Sequence, residues 1–240
     1  MLNAAVDDGL IPTNPCKARS VRPPKMDRDK VEPWPVAQVE AVIDALPDRY
    51  RALAVVGAGC GLRQGEVFGL RVQDVEYLRR RLQVQQQVKL VRGRIEIDKP
   101  KNRRTRTVPL PDWVAVELTE HLRRRPAGED GLVFTSRERK PLNRNHVNRY
   151  IWKPALEAVG VEPSRGNGMH ALRHFYASVL IDAGESASAG AEYLGHADPG
   201  FTLRVYAHLF PSSEDRARRA IGAAFSNTHH KSSRRTTSTP

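Results

Sequence analysis

Histidine, arginine and tyrosine side chains are gathered in the stretch between residues 169 and 208. If the first part of this stretch is helical, His170, Arg173 and His174 stand at positions i, i+3 and i+4 and share one face. His196 ends a Leu-Gly-His sequence, and Tyr206 follows it between two small apolar residues. A basic cluster beside an apolar helix face typically binds an anion, and phosphate is the common one.

These residue types suit the cleavage of a phosphodiester without a metal ion. That reaction requires a nucleophile, neutralisation of the non-bridging oxygens and a proton for the leaving alkoxide. A tyrosine nucleophile leaves a covalent phosphotyrosine, which conserves the bond energy for rejoining. The alternative chemistry is metal binding by His170 and His174, but no acidic residue lies between them and Arg173 would repel the cation.

Three separated motifs share their order and spacing with one known family. His170-Ala-Leu-Arg-His174, then Leu194-Gly-His196, then Tyr206 resemble the C-terminal signature of the tyrosine recombinases, the phage-integrase family. The segment Gly61-Leu-Arg-Gln-Gly-Glu66 resembles the first arginine motif of this family. The resemblance covers residues from about Trp34 to Phe210.

This resemblance implies roles for individual residues. Tyr206 would attack the phosphate, while Arg63 and Arg173 would clamp its oxygens. His170 would assist proton transfer from the nucleophile, and His196 would hydrogen-bond a non-bridging oxygen. For His174 we expect only a structural hydrogen bond.

The general acid is expected in the basic loop between Asp98 and Thr107. The match to the family's hairpin places Lys101 in the position that protonates the departing 5′ oxygen. Lys99 is the rival, because an extended chain points both lysines to the same side. Glu66 lies one helical turn after Arg63 and would hold its guanidinium, a pair that is worth only a few tenths of a kcal/mol if exposed.

The net charge of the chain is +12, which implies a polyanionic partner such as nucleic acid. The sequence contains no apolar run of about 18 residues and no signal peptide, so we expect a cytoplasmic protein without a membrane partner. Cys16 and Cys60 lie far apart and outside any CxxC, so neither a disulfide framework nor a zinc site is indicated.

Residues 1–33 do not form a complete domain by themselves. A short helix is predicted to end near Gly9 and Pro12, followed by Asn14-Pro15 and a basic, proline-rich linker. In the tyrosine recombinases a DNA-clamping domain typically ends in this way, so we expect residues 1–33 to be the remnant of such a domain and the chain to be a fragment. A disordered arm is the alternative.

The rest of the chain alternates helical and strand patterns. Helices are predicted from Trp34, around Leu53 and again from Asp112, while a hairpin of alternating apolar residues is predicted between Leu82 and Ile97 and a third strand over residues 105–110. Residues 185–190 have poor helix propensity, a departure from the family. We expect a catalytic domain over residues 34–225 and a disordered basic tail over 226–240.

These observations predict a mainly α-helical fold with a small antiparallel β-sheet, the catalytic-domain fold of the tyrosine recombinases. The implied function is that of an integrase: a site-specific DNA recombinase that acts as a homo-tetramer on double-stranded DNA through a 3′-phosphotyrosine, with no cofactor. Type IB topoisomerases share the chemistry, although the Leu-Gly-His motif favours a recombinase. The alternative from another class is a truncated integrase that binds DNA without cutting it.

Overall fold

A computed structural model describes residues 1–18, 20–22, 32–100, 105–128, 130–196, 198–206, 218 and 221–222. The chain divides into two compact units, Met1–Lys30 and Val31–Pro240. In the first unit, helix α1 spans Leu2–Asp7 and a 3-10 turn spans Pro15–Lys17. The side chain of Asn14 caps this turn by accepting a hydrogen bond from the backbone N–H of Cys16.

Among the described residues, the second unit contains nine α-helices whose bounds are given below, five strands and a 3-10 turn at Val72–Asp74. The helices are α2 (Val36–Ala45), α3 (Asp48–Cys60), α4 (Gln64–Phe68), α5 (Asp112–Arg124), α6 (Arg144–Val147), α7 (Lys153–Ala158), α8 (His170–Asp182), α9 (Ala187–Leu194) and α10 (Pro199–Tyr206). The strands are β1 (Val75–Glu76), β2 (Arg81–Val84), β3 (Gln87–Val91), β4 (Arg94–Asp98) and β5 (Arg106–Pro109). A π-helical turn, Asn148–Trp152, joins α6 to α7.

Helix α3 forms the centre of the core and packs against α8, α5 and α2. All its residues from Ala52 to Cys60 are buried. Small residues permit this close packing: a Cβ atom added to Gly57 would lie 3.1 Å from Leu172, and one added to Gly59 would lie 2.4 Å from Val114. A helix that is buried on all sides needs such small residues, because its neighbours approach it from every direction.

The strands form two small antiparallel sheets. One has the order β1-β2-β5, with Leu82 opposite Val108, and the other is the β3–β4 hairpin, with Leu90 opposite Ile95. The hairpin turns at Arg92-Gly93, where both residues have positive φ, as a tight hairpin turn requires.

The predicted hairpin differs from the structure in one respect. The apolar alternation from Leu82 to Leu90 suggests one continuous strand, but β2 ends at Val84 and β3 begins at Gln87 in a different sheet. The chain between them passes over Gly69, where an added Cβ would lie 2.9 Å from Cα of Gln87 and 3.0 Å from the carbonyl oxygen of Gln86. This close approach of two backbones coincides with the break.

The predicted fold class is confirmed: the second unit is mainly helical and carries only short antiparallel strands. Edge strand β5 contains Pro109, as expected for a residue that cannot donate a ladder hydrogen bond. Among the described residues, no helix has the length and apolar character that crossing a membrane requires.

Candidate active site

Arg173 is a buried cation at the centre of the site. It lies in the first turns of α8, and the residue is 1% exposed. Its Nη1 donates to the carbonyl oxygen of Gly61 at 2.8 Å, and its Nη2 donates to that of Leu194. Burial, together with the charges of Arg63 and Arg106, lowers the pKa of Arg173 to about 9. Arg173 therefore stays charged at neutral pH, but its charge is unusually poorly compensated.

Helices α3 and α9 each end in a residue with left-handed backbone conformation. The carbonyl groups of these two residues face Arg173 and Arg63, the arginines predicted to bind the phosphate. Gly61 ends α3 with φ 63°, and its carbonyl oxygen accepts from Arg173. Gly195 ends α9 with φ 63°, and its carbonyl oxygen accepts from Nη2 of Arg63 at 3.2 Å. Glycine is the residue that adopts this conformation without strain, so both motifs require glycine for a structural reason.

Gly61→Ala should therefore destabilise the domain strongly. A Cβ atom at this position would lie 2.3 Å from the ring of Tyr176, and the left-handed backbone alone costs a non-glycine residue about 1–2 kcal/mol. We expect a loss in the free energy of unfolding larger than that figure, measured by chemical denaturation. Gly93→Ala is the matched control, because Gly93 also has positive φ but has no heavy atom within 4 Å of an added Cβ. Equal losses in the two variants would contradict the steric explanation.

Arg63 is held by the carboxylate of Glu66. Arg63 precedes α4, and both its backbone N–H and its Nη1 donate to Glu66 at 2.9 Å. The Glu66 side chain is fully buried, whereas the Arg63 side chain is 26% exposed. The pair is therefore not the weak surface pair that the spacing alone suggests.

A third arginine completes this cluster. Arg106 in β5 donates from Nη1 and Nη2 to the two oxygens of Glu66 at 2.9 and 2.7 Å. Burial alone would raise the pKa of Glu66, but the hydrogen bonds and charge of Arg106, together with Arg63, outweigh it and lower the pKa to about 2. Glu66 is consequently a permanently charged carboxylate between two guanidinium groups.

Tyr206 ends α10 and is 2% exposed. Its hydroxyl lies 2.7 Å from Nδ1 of His174, so a neutral His174 that carries its proton on Nε2 accepts the hydroxyl hydrogen. Burial raises the pKa of Tyr206 to about 12, and the charge of Arg173 opposes that rise. The hydroxyl is therefore neutral at pH 7 and needs a base to become a nucleophile.

The three histidines of the site are neutral at pH 7. Desolvation and nearby positive groups lower the pKa of His170 to about 4 and that of His196 to about 3; desolvation and the charge of Arg173 lower that of His174 to about 4. The rings of His170 and His174 meet edge to face, with centroids 4.6 Å apart. Nδ1 of His196 lies 2.7 Å from the hydroxyl oxygen of Thr202 in α10.

The segment before His196 is helical despite its weak propensity. Ser186 caps α9 by accepting from the backbone N–H of Ala189 at 3.1 Å. Gly190, Ala191 and Leu194 are buried, so tertiary packing supports the helix.

The structure does not decide between Lys99 and Lys101 as the general acid. Lys101 lies outside the described residues, so its role as general acid stays a prediction. Lys99 is described and exposed; its backbone N–H donates to Asp98 at 2.7 Å, and its carbonyl oxygen accepts from Gln87 at 2.6 Å.

A cleft of about 630 Å³ opens beside Arg63 and His170. Its cationic lining residues are Arg63, Lys89, Arg144, Lys153 and Arg165. Gln64 and Asn148 also line it and are joined by a 2.7 Å hydrogen bond between their side-chain amides. Within the described ranges, no group of three or more His, Cys, Asp or Glu side chains could hold a metal ion.

The fold places Arg63, His170, Arg173, His196 and Tyr206 near one another. Contacts link the two arginines to the turn that precedes His196, and Tyr206 to the helix that carries Arg173. Two residues do more than the sequence-based assignment gives them. Arg106 has no role there, and His174 is expected to make only a structural hydrogen bond, whereas its partner is the predicted nucleophile Tyr206. In the sequence, His174 is marked by its place at the end of the His170-Ala-Leu-Arg-His174 motif, and Arg106 only by its place in the strand predicted over residues 105–110.

Comparison with known proteins identifies the family. Residues 35–213 match the Phage integrase family, and the chain belongs to it. The "Tyrosine recombinase XerC-like" protein of Caldanaerobacter subterraneus subsp. tengcongensis is 30% identical over 251 residues, covering 93% of this chain and 63% of the relative. The "Putative prophage phiRv2 integrase" of Mycobacterium tuberculosis is 26% identical over 215 residues, covering 87% and 55%. The chain therefore spans a little over half the length of these curated relatives.

Solved structures show the same fold. The Tn1549 transposon integrase in complex with a circular intermediate DNA superposes with a TM-score of 0.73 at 22% identity, covering 92% of this chain and 74% of that one. XerA recombinase gives a TM-score of 0.61 at 20% identity, covering 81% and 66%. The catalytic domain of bacteriophage HP1 integrase gives 0.56 at 19% identity, covering 79% and 95%.

Proposed function

We propose that this chain is a site-specific DNA recombinase of the integrase type, which cuts and rejoins double-stranded DNA through a 3′-phosphotyrosine at Tyr206. The observation that carries the proposal is the contact between the buried Tyr206 hydroxyl and His174, one residue from the buried cation Arg173. A tyrosine with a proton acceptor beside a poorly compensated guanidinium suits attack on a phosphate diester. We further propose residues 34–225 as the catalytic domain, a homo-tetramer on DNA as the working assembly, and the cytoplasm as its location.

In this proposal the scissile phosphate binds between Arg63 and Arg173. A guanidinium has five N–H donors, and the two carbonyl contacts of Arg173 use two of them, which leaves donors for a non-bridging oxygen. Arg63 is partly exposed toward the basic cleft that would receive the duplex. His196 would donate a hydrogen bond to the same phosphate. Since Tyr206 is only 2% exposed, binding of DNA must shift α10 before attack.

The chemical step moves one proton at each end of the reacting phosphate. The Tyr206 oxygen bonds to phosphorus as its proton passes to Nδ1 of His174, and the bond from phosphorus to the 5′ oxygen breaks. The lowered pKa of His174 keeps it neutral and able to accept. His170, whose ring touches His174, would assist this transfer. Lys101 would protonate the departing 5′ oxygen, and attack by a 5′-hydroxyl would reverse the sequence and rejoin the strand.

Covalent capture tests the proposal. A library of nicked duplexes with randomised sequence is incubated with the chain in the presence of a chelator, and DNA that stays with denatured protein is collected. The proposal predicts adducts that protease digestion releases and that share a sequence around the cut. DNA that binds before denaturation but leaves no adduct would support the alternative, a protein that occupies sites without cutting.

The role of His174 can be isolated with His174→Asn. Asparagine can accept a hydrogen bond from Tyr206 but cannot take its proton, so we expect single-turnover cleavage to slow by about 10²–10⁴-fold. Hydroxide must then ionise Tyr206, whose pKa is about 12, so the residual rate should climb with pH. The unmodified chain should show a flat rate at neutral pH, because His174 protonates only as the pH falls toward about 4.

His146→Asn, a change at an exposed histidine of α6, is the control and should leave the rate unchanged. If His174→Asn cleaves as fast as the unmodified chain, His170 is the proton acceptor instead.

A further inference from the structure

Arg106 joins two parts of the site that hold Arg63. Its Nη1 and Nη2 donate to the carboxylate of Glu66, and its Nε donates to the carbonyl oxygen of Tyr193 at 2.7 Å. The Arg106 side chain is 6% exposed and the Glu66 side chain is fully buried. Three hydrogen bonds from one planar group fix its position closely.

The same guanidinium lies against the turn that precedes His196. A Cβ atom at Gly195 would lie 3.0 Å from Cδ and Nη1 of Arg106, so a side chain at this position would crowd the guanidinium. The carbonyl oxygen of Gly195 accepts from Arg63. Arg106 therefore contacts both groups that hold Arg63, the Glu66 carboxylate and the turn after α9.

Because Arg63 and Arg106 share the carboxylate of Glu66, they also determine the net charge of this cluster. Two guanidinium groups around one carboxylate leave a cluster with a net positive charge, whereas Arg63 and Glu66 alone would form a neutral pair. A neutral pair attracts a phosphate less strongly, and Arg63 would then be free to place both Nη groups on Glu66. The other charged or titratable groups that act on Glu66 are Arg173 and His170 of α8.

We propose that Arg106 is a positioning residue of the phosphate site: it shares Glu66 with Arg63, so that Arg63 keeps its charge and its donors available for DNA phosphate. This inference rests on the proposed function. It does not require Arg106 to touch the substrate, because its guanidinium is already occupied by Glu66 and Tyr193. The depressed pKa of Glu66, for which Arg106 is the main cause, agrees with this role.

Arg106→Met should slow single-turnover cleavage by about 10²-fold at neutral pH, as expected when a clamping group is misplaced. Because the pKa of Glu66 rises without Arg106, the rate of this variant should recover in part toward acid pH, as protonation of Glu66 removes the competing carboxylate and frees the charge and donors of Arg63. The unmodified chain and the double variant Arg106→Met/Glu66→Gln should lack this recovery. Arg106→Lys keeps the charge, so it should also lack the recovery while remaining slower than the unmodified chain.

Arg71→Met is the matched control. Arg71 also pairs with a buried carboxylate three residues on, Asp74, but in a 3-10 turn outside the site. It should leave the rate and the pH profile of cleavage unchanged.

A second measurement needs no DNA. The carboxyl carbon of Glu66 and the guanidinium of Arg63 are followed by NMR against pH, and inorganic phosphate is then titrated. The proposal predicts a raised Glu66 pKa and weaker phosphate binding in Arg106→Met. An unchanged Glu66 titration, or a rate loss that is equal at every pH, would overturn it. If the unmodified chain does not cleave DNA, the proposed function fails while the NMR result still decides the role of Arg106.

Discussion

Tyr206→Phe should abolish covalent attachment to DNA and leave binding to the duplex nearly unchanged. The substitution removes one oxygen atom, which is the nucleophile in our proposal, and keeps a ring that is 2% exposed and packed in the core. Loss of the hydroxyl leaves Nδ1 of His174 without its partner, which costs stability only on the order of 1 kcal/mol. The adduct is measured on denaturing gels after incubation with a captured DNA sequence, and binding is measured by fluorescence anisotropy.

Tyr193→Phe is the matched control for this experiment. Tyr193 is half-buried near the end of α9, and its contact with Arg106 uses its backbone carbonyl, which phenylalanine retains. The control should form the adduct at the normal rate. An adduct that persists in Tyr206→Phe and disappears in Tyr193→Phe would move the nucleophile to Tyr193.

Arg173→Lys is expected to have the second largest effect, a loss of cleavage of about 10³-fold or more. Lysine has one nitrogen, which cannot reach the carbonyl groups of Gly61 and Leu194 and a phosphate oxygen together. The environment also lowers the pKa of the arginine to about 9, and a lysine starts from about 10.4, so the same burial pushes it toward the neutral form. The residual activity should therefore increase as the pH falls and the lysine becomes charged.

The control for this variant is Arg49→Lys. Arg49 also donates to two backbone carbonyl groups, those of Thr135 and Ser136, but it lies near the start of α3. Gly61 lies at the other end of this helix, roughly 18 Å away at 1.5 Å per residue. Arg49→Lys should reduce stability slightly and leave cleavage unchanged. Similar activity losses in both variants would show that the effect of Arg173→Lys is a loss of folding.

The sequence predicts the fold class, because apolar periodicity is a local pattern. That the motifs share one site is what the resemblance to the phage-integrase family implies. The spacing of apolar residues predicts α2, α3 and α5. The motif glycines Gly61 and Gly195 lie where α3 and α9 end. The resemblance to the phage-integrase family is confirmed by the match over residues 35–213. The roles of individual residues stay proposals.

Contacts between segments that lie far apart in the chain could not be predicted from the sequence. Glu66 looks like half of a weak surface pair until Arg106, forty positions further on, is seen to share its carboxylate in the core. For His174 the sequence indicates only a structural hydrogen bond, and the position of α10 identifies Tyr206 as its partner. The break between β2 and β3 coincides with the passage of that chain over Gly69, which no periodicity predicts. The choice between Lys99 and Lys101 stays open to experiment, since Lys101 lies outside the described residues.

The most direct test of the central claim is the chemical identity of the link between protein and DNA. Captured adducts are digested with protease and nuclease, and the modified peptide is sequenced by mass spectrometry. The account predicts a peptide in which the Tyr206 oxygen carries a 3′-phosphate, with a free 5′-hydroxyl on the other side of the cut. A link through any other residue, or through a 5′-phosphate, would contradict it.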